Sequence, residues 1–360
     1  MPDRVYNFYP GPATLPFEVV RESFEKGLNY NDLGMSIMEI SHRCAPFNQM
    51  WERTQEDMLD VMGLSGDEYV VFFLGGGAST QFLMIPYNFL SEGQTADYVN
   101  TGRWAVKAIK EAKLFGNVNL AADSEPEDFK HVPREYDLAP DAQYVHVTSN
   151  NTVAGTQMFE FPQTGDVPLV SDMSSDFLSR NIDFGKFDLV YAGAQKNIGP
   201  AGVTAVVIKK SWIERSKEGI PTMMSYRTHL SKNSVFNTPP VFNTFVVGLV
   251  MQWIKRNGGL EGVQQKNDRK AGMIYDAIDG SDGFYSGVVR KDSRSKMNVT
   301  FRLPSEGLEK RFVAEAEERD LIGLKGHRSV GGCRASIYNA MPVEGVQALV
   351  DFMEDFRKKS

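Results

Sequence analysis

The sequence predicts an α/β protein, with a mostly parallel, doubly wound sheet in a large unit and a smaller α+β unit after it. Three observations carry this. Six short runs, Tyr69–Leu74, Ala96–Asn100, Tyr144–Thr148, Leu169–Asp172, Leu189–Ala192 and Thr204–Ile208, are apolar on consecutive residues, as strands covered on both faces are. Amphipathic stretches alternate with them, which calls for right-handed crossovers and helices on both sides of the sheet. After Asn237–Pro240 the pattern becomes helix-rich with a single strand.

The helices follow from spacing. In Phe47–Met62 the residues Phe47, Met50, Trp51, Met58, Val61 and Met62 recur at three- and four-residue intervals, with acids opposite. Thr80–Leu90 and Trp104–Lys113 are further helices of the first unit. Phe242–Arg256 ends at Asn257-Gly258-Gly259, a helix stop. Beyond it the sequence predicts a helix to Ile278, a strand at Met297–Arg302, and helices at Leu308–Arg319 and Val343–Arg357. The boundary between the two units is placed at residue 257, giving 16–257 and 258–360.

Bulk properties exclude several classes of function. The net charge is −7 with no basic run, so no nucleic-acid footprint is expected. The longest apolar-rich stretch, Phe245–Ile254, is broken by Gly248 and Gln252, too short for a membrane span of roughly 20 residues. The start, MPDRVYNFYPGP, lacks a signal-peptide core. Two cysteines, Cys44 and Cys333, form no CxxC pair and fit a reducing, cytoplasmic setting. The N-x-T triplets at Asn150 and Asn298 read as chance matches. Five histidines, at 42, 131, 146, 229 and 327, form no HxxxH pair, so no metal is expected.

Chemistry concentrates just past the carboxyl ends of the strands, where open α/β sheets bind ligands. Asp172 ends one apolar run, and Lys196 follows another within Ala192-Gly193-Ala194-Gln195-Lys196-Asn197-Ile198-Gly199-Pro200. The two residues form either a plain ion pair or the pair that pyridoxal phosphate asks of its protein, a Schiff-base lysine and an acid at the pyridine nitrogen. Small residues after Lys196 favour the second, because they let a bulky group approach the backbone. Gly75-Gly76-Gly77-Ala78-Ser79-Thr80 joins a strand to a helix, either an ordinary tight turn or an anion site of backbone N–H groups. It lacks the GxGxxG of a dinucleotide site and the lysine of a Walker loop. Trp104 is either core or a flat platform for a ring. Thr152 is either a loop cap or a donor to a ring hydroxyl.

Six separated segments, MEISHR (38–43), GGGASTQF (75–82), TGRWA (101–105), AGAQKNIGPAG (192–202), FNTPP (236–240) and GHRSVGGCRASIYNAMP (326–342), together with NFYPGPA (7–13), resemble the phosphoserine aminotransferases. These are pyridoxal-phosphate transaminases of class V and fold type I. The resemblance spans most of the chain in the family's order. It implies Lys196 as the Schiff-base lysine, Asp172 at the pyridine nitrogen, Trp104 stacked on the ring and Thr152 facing its hydroxyl. It further implies Ala78, Ser79 and Gln195 at the cofactor phosphate, joined by Asn237 and Thr238 from a second subunit, hence a homodimer with shared sites. His42, Arg43, His327, Arg328 and Arg334 correspond to the substrate-anchoring positions. Residues 1–15 correspond to an arm packing with the small unit. Some members of the family have an arginine where this chain has Ala78-Ser79, so here phosphate is expected to bind through backbone N–H groups and the Ser79 hydroxyl.

The implied reaction moves an amino group between L-glutamate and 3-phosphohydroxypyruvate, giving O-phosphoserine and 2-oxoglutarate. That places the chain in serine biosynthesis, and in pyridoxine biosynthesis where a related phosphorylated oxo acid is used. Read without the resemblance, the five cationic residues are either a solvated basic patch or an anion site, and arginine forks suit carboxylates and phosphates. Two competing functions are a cysteine desulfurase, with Cys333 in a glycine-rich loop as the reactive thiol, and a non-catalytic binding protein on the same fold.

Overall fold

The structure is a computed structural model and describes residues 4–360. Its centre is a seven-stranded sheet in the order Tyr69–Leu74, Thr204–Lys209, Leu189–Gly193, Leu169–Asp172, Val145–Thr148, Thr95–Asn100, Asn117–Asp123. All six expected strands are in it. Their consecutive Val, Leu, Phe and Tyr side chains are buried because helices cover both faces.

Two features of this sheet differ from the expectation, and beyond it the helix Phe17–Leu28 and the short strands Ser286–Gly287, Leu321–Ile322 and Cys333–Ser336 were not anticipated. Thr204–Lys209 runs antiparallel to both its neighbours, while the remaining pairings are parallel. Direction is invisible in a buried strand's composition, since both kinds read as one apolar run. Asn117–Asp123 was not anticipated as a strand. It lies at the sheet edge, pairs among the described residues only with Thr95–Asn100 and is only partly buried, so Asn117, Asn119 and Asp123 break the apolar run.

The helices Ala45–Met62 and Val241–Arg256 pack on one face of the sheet, with Trp51, Val247 and Val250 in one core. Gly77–Phe89 and Arg103–Ala112 belong to the other face, with Phe82, Ile85 and Ala108 in a second core. A third core joins Ile274, Phe301, Phe312, Ala335, Leu349 and Phe352, around an antiparallel sheet of Ser286–Gly287, Asn298–Arg302 and Cys333–Ser336. Phe8 is fully buried in that third core, and Tyr6–Asn7 pairs in parallel with Leu321–Ile322. The helix Gly259–Asp279 links the cores: Leu260 and Val263 belong to the first, Ala271, Ile274 and Ile278 to the third. Among the described residues, no helix is long and apolar enough to cross a membrane.

Candidate active site

The parallel strands Val145–Thr148, Leu169–Asp172 and Leu189–Gly193 stop at one edge of the sheet, with Thr148 opposite Asp172 and Asp172 opposite Tyr191. Asp172, at the end of its strand, is 4% exposed, and its Oδ1 accepts from the Ser174 backbone N–H at 2.9 Å. Burial raises its carboxyl pKa, against the pull of Ser174 and Lys196. No ion pair satisfies this carboxyl among the described residues. A buried acid of this kind calls for a cationic or N–H partner.

Lys196 lies in the turn after Leu189–Gly193, and its Nζ donates to Thr152 Oγ1 at 2.7 Å. Burial lowers its pKa to about 8, opposed by Asp172 and reinforced by Arg334. The amine is therefore available as a nucleophile at a pH where an ordinary lysine is charged. The Thr152 carbonyl accepts from Arg334 Nη1 at 3.1 Å, so one threonine touches both the lysine and the arginine. Arg334 is 5% exposed and its Nε is buried without an acceptor.

Trp104, in the first turn of Arg103–Ala112, presents its ring to Lys196 Nζ at 5.8 Å. A glycine fixes that approach. A Cβ on Gly102, at φ 157°, would lie 2.1 Å from Asn151 Oδ1, so only glycine lets the helix start lie against the segment carrying Thr152. After the strand Tyr69–Leu74, Gly76 ends the turn into the helix Gly77–Phe89 at φ 86°, with no side-chain cap. The first-turn N–H groups at Gly77, Ala78 and Ser79 thus lack acceptors within the helix, the condition under which a helix start takes an anion. Gln195 sits beside Lys196, and its carbonyl accepts from the Ala13 N–H at 2.8 Å, which brings the N-terminal arm to the lysine turn.

His327 and Arg328 sit in the Gly326–Gly332 loop, where His327 Nδ1 lies 2.8 Å from Ser329 Oγ. Burial lowers the His327 pKa, and Arg103, Arg334, Arg328 and Lys107 push the same way, so these cations gather at one mouth. Arg103 and Lys107 did not emerge from the sequence analysis. Their i, i+4 spacing on the helix that Trp104 opens was the available signal. None of Arg43, Arg103, Lys107, Arg328 or Arg334 forms an ion pair among the described residues, although the chain carries a net charge of −7.

Four expected site residues lie apart. Asn237 and Thr238 are exposed, with Asn237 Nδ2 donating only to the Thr238 carbonyl at 3.3 Å. Arg43 is exposed, and the His42 ring stands edge-on to Phe47 at 6.3 Å. No hydrogen bond, ion pair or ring contact joins any of the four to the Lys196 group among the described residues. Cys333 is a correction. It lies in the strand Cys333–Ser336, paired with Phe301, not in a loop, and is 1% exposed. Burial pushes its thiol well above the usual range, which removes the reactive thiolate that a desulfurase needs. Asn150 and Asn298, the two N-x-T asparagines, are buried and hydrogen-bond each other at 2.8 Å, beyond reach of a glycan.

Comparison with known proteins adds a family. The class-V aminotransferase profile matches residues 5–349. The chain is 55% identical over 362 residues to a phosphoserine aminotransferase of Desulfatibacillum aliphaticivorans, covering 100% of both chains. It superposes on the structure of phosphoserine aminotransferase from Bacillus circulans subsp. alkalophilus with a TM-score of 0.97 and 54% identity, covering 99% of each chain. It also superposes on a pyridoxal-phosphate-bound phosphoserine aminotransferase from Trichomonas vaginalis, with a TM-score of 0.92 and 36% identity over 98% of this chain and 100% of that one.

Proposed function

We propose, for a chain that belongs to the class-V aminotransferases and within them to the phosphoserine aminotransferases, reversible amino transfer between L-glutamate and 3-phosphohydroxypyruvate on pyridoxal phosphate held by Lys196. The products are O-phosphoserine and 2-oxoglutarate. The observation that carries the reading is the convergence of a depressed lysine amine, a buried unpaired carboxyl, an aromatic face and a buried arginine at one strand edge.

The residues fit the cofactor. Asp172 lacks the cationic partner that a protonated ring nitrogen supplies, and the open N–H groups at Gly77, Ala78 and Ser79 suit its phosphate. Trp104 offers a ring face, Thr152 a hydroxyl to the ring oxygen, and Gln195 a further phosphate donor. Once bound, the cofactor supplies an electron sink for the carbanion formed at the substrate α-carbon.

Every other task falls to the chain. Lys196 Nζ would hold the cofactor covalently and, once released, would take the proton from the substrate α-carbon onto its own neutral amine. Asp172, ionised, keeps a proton on the ring nitrogen. Arg334 orients the substrate through its α-carboxylate, which both substrates share. His327 and Arg328 face the substrate phosphate, together with His42 and Arg43. The exposure of Asn237, Thr238 and Arg43, away from their own chain's Lys196, supports a homodimer in which these segments complete the partner's site. In this working arrangement residues 1–15, of which 1–3 lie outside the described residues, are an arm, 16–257 the cofactor-binding unit and 258–360 the small unit, acting in the cytoplasm.

The test is direct. Purified protein is expected to absorb near ~400–430 nm, to lose that band with borohydride, and to convert glutamate and 3-phosphohydroxypyruvate to O-phosphoserine. A colourless, inactive protein would leave a binding role on this fold.

A further inference from the structure

Lys270, on the helix Gly259–Asp279, is 1% exposed, and no carboxylate pairs with it among the described residues. Its Nζ donates to three consecutive carbonyls instead, those of Ile337 at 2.9 Å, Tyr338 at 2.7 Å and Asn339 at 3.5 Å. An ammonium has three donors and no acceptor, which matches this set. Burial lowers its pKa to about 7, with Lys266 pushing the same way, so the carbonyls are what offset a costly placement. One turn earlier on the same helix, Asn267 Nδ2 donates to Asn339 Oδ1 at 2.8 Å and to the Ser179 carbonyl at 2.9 Å. The helix therefore clasps the 337–339 turn at both ends.

That turn touches the reacting groups on two sides. The Asn339 backbone N–H donates to Asn197 Oδ1 at 3.0 Å, and Asn197 is the residue next to Lys196. Tyr338 is fully buried, donates to the Pro10 carbonyl at 2.8 Å, and lies beside Arg334 and Thr152. The turn also continues directly from the strand Cys333–Ser336 that carries Arg334. Lys270 itself is remote from the substrate, yet the element it holds spans the distance between the lysine and the arginine.

We propose that Lys270 is a positioning residue for the transamination: by holding the carbonyls of Ile337, Tyr338 and Asn339 it fixes Lys196, through Asn197, relative to Arg334. This rests on the reading of Lys196 as the reacting amine. An error of about an ångström in such an arrangement costs on the order of 100-fold in rate.

The test uses the holoenzyme carrying Lys270→Met, which keeps the stem and removes the three donors. The expected result is a fall in kcat of about 100-fold in both half-reactions, with the cofactor absorbance band retained. Hydrogen exchange of the Asn339 amide is expected to speed up by at least about tenfold, because its acceptor Asn197 is no longer held in register. A lower melting temperature with normal kcat in the folded protein and unchanged Asn339 exchange would mean that Lys270 only stabilises the fold, and would overturn the proposal. Should Lys270→Met fail to fold, Asn267→Ala loosens the other end of the clasp and is read by the same two measurements, with a kcat loss of about tenfold expected and an unchanged kcat overturning the proposal. A wild type without the borohydride-sensitive band would overturn the reading beneath it as well. A wild type with the band and an unaffected Lys270→Met enzyme overturns the positioning role alone.

Discussion

Arg334→Ala tests how the site holds the group that both substrates share. In the structure the guanidinium is 5% exposed, Nη1 is engaged by the Thr152 carbonyl at 3.1 Å, and Nε is buried without an acceptor. That leaves the Nε–Nη2 side as a two-donor fork of the shape a carboxylate accepts. Hydrogen bonds to a charged group contribute about 1.5–3 kcal/mol each, so two contribute about 3–6 kcal/mol. At about 1.36 kcal/mol per factor of ten, kcat/KM should fall roughly 150- to 25,000-fold. The loss should be similar for glutamate and for O-phosphoserine, because each brings an α-carboxylate. Arg334→Lys keeps a charge without the fork and should lie between the variant and the wild type. The assay is single-turnover kinetics of each half-reaction, followed by the cofactor absorbance. A loss below about tenfold, or one confined to a single half-reaction, would refute the assignment of the fork to the shared carboxylate.

Lys196→Ala is expected to fold normally and to show no turnover and no borohydride-trapped band, measured by circular dichroism and absorbance; normal turnover would remove the lysine from the mechanism. Asp172→Asn should lower kcat by at least about 100-fold, since an amide cannot hold the ring nitrogen protonated, while thermal unfolding of the cofactor-free protein shows the melting temperature undiminished, because without the ring nitrogen burial disfavours the charged carboxyl. Arg43→Ala should lower kcat/KM for the phosphorylated oxo acid about 10- to 150-fold and spare the glutamate half-reaction, and equal losses in both would mean that it does not read phosphate. The rate at which apo protein regains its absorbance band should rise with pH through about 8 and level off above, because the attacking species is the neutral Lys196 amine and burial has moved its pKa down from 10.5. A midpoint near the ordinary lysine value would show that burial is not what activates it.

The sequence made the strand-edge residues legible because each follows a local apolar run whose end is easy to find. Asp172 closes Leu169–Asp172, and Lys196 lies three residues beyond Gly193. The glycine-rich turn was legible for the same reason, since the strand Tyr69–Leu74 runs straight into it. What stayed hidden was set by contacts far apart in the chain. Lys270 reads as one more charged residue on an amphipathic helix, and only the fold brings residues 337–339 over it. Cys333 sits between glycines and an arginine, which suggests a loop, yet its pairing with Phe301 makes it a buried strand residue. The antiparallel course of Thr204–Lys209 leaves no trace in composition either. Arg103 and Lys107 lacked a partner in the sequence to mark them, and became visible only once His327 arrived from the far end of the chain.

Arg103, Lys107, Arg328 and Arg334, gathered around His327, carry no acidic partner among the described residues, although the net charge is −7. Unpaired cations of one sign repel one another, and buried Arg334 pays desolvation as well. A substrate with about two negative charges on phosphate and one on carboxylate removes both penalties at once, whereas glutamate brings only a single carboxylate charge to the phosphate end. The cationic mouth should therefore bind the phosphorylated partner in preference, and the preference should shrink with added salt most for exposed Arg43 and Arg328 and least for buried Arg334. Measuring the KM of each half-reaction against ionic strength, in the wild type and in Arg334→Lys, separates the screened exposed contribution from the buried one. An O-phosphoserine KM that ignores salt would mean that the exposed arginines do not reach the phosphate.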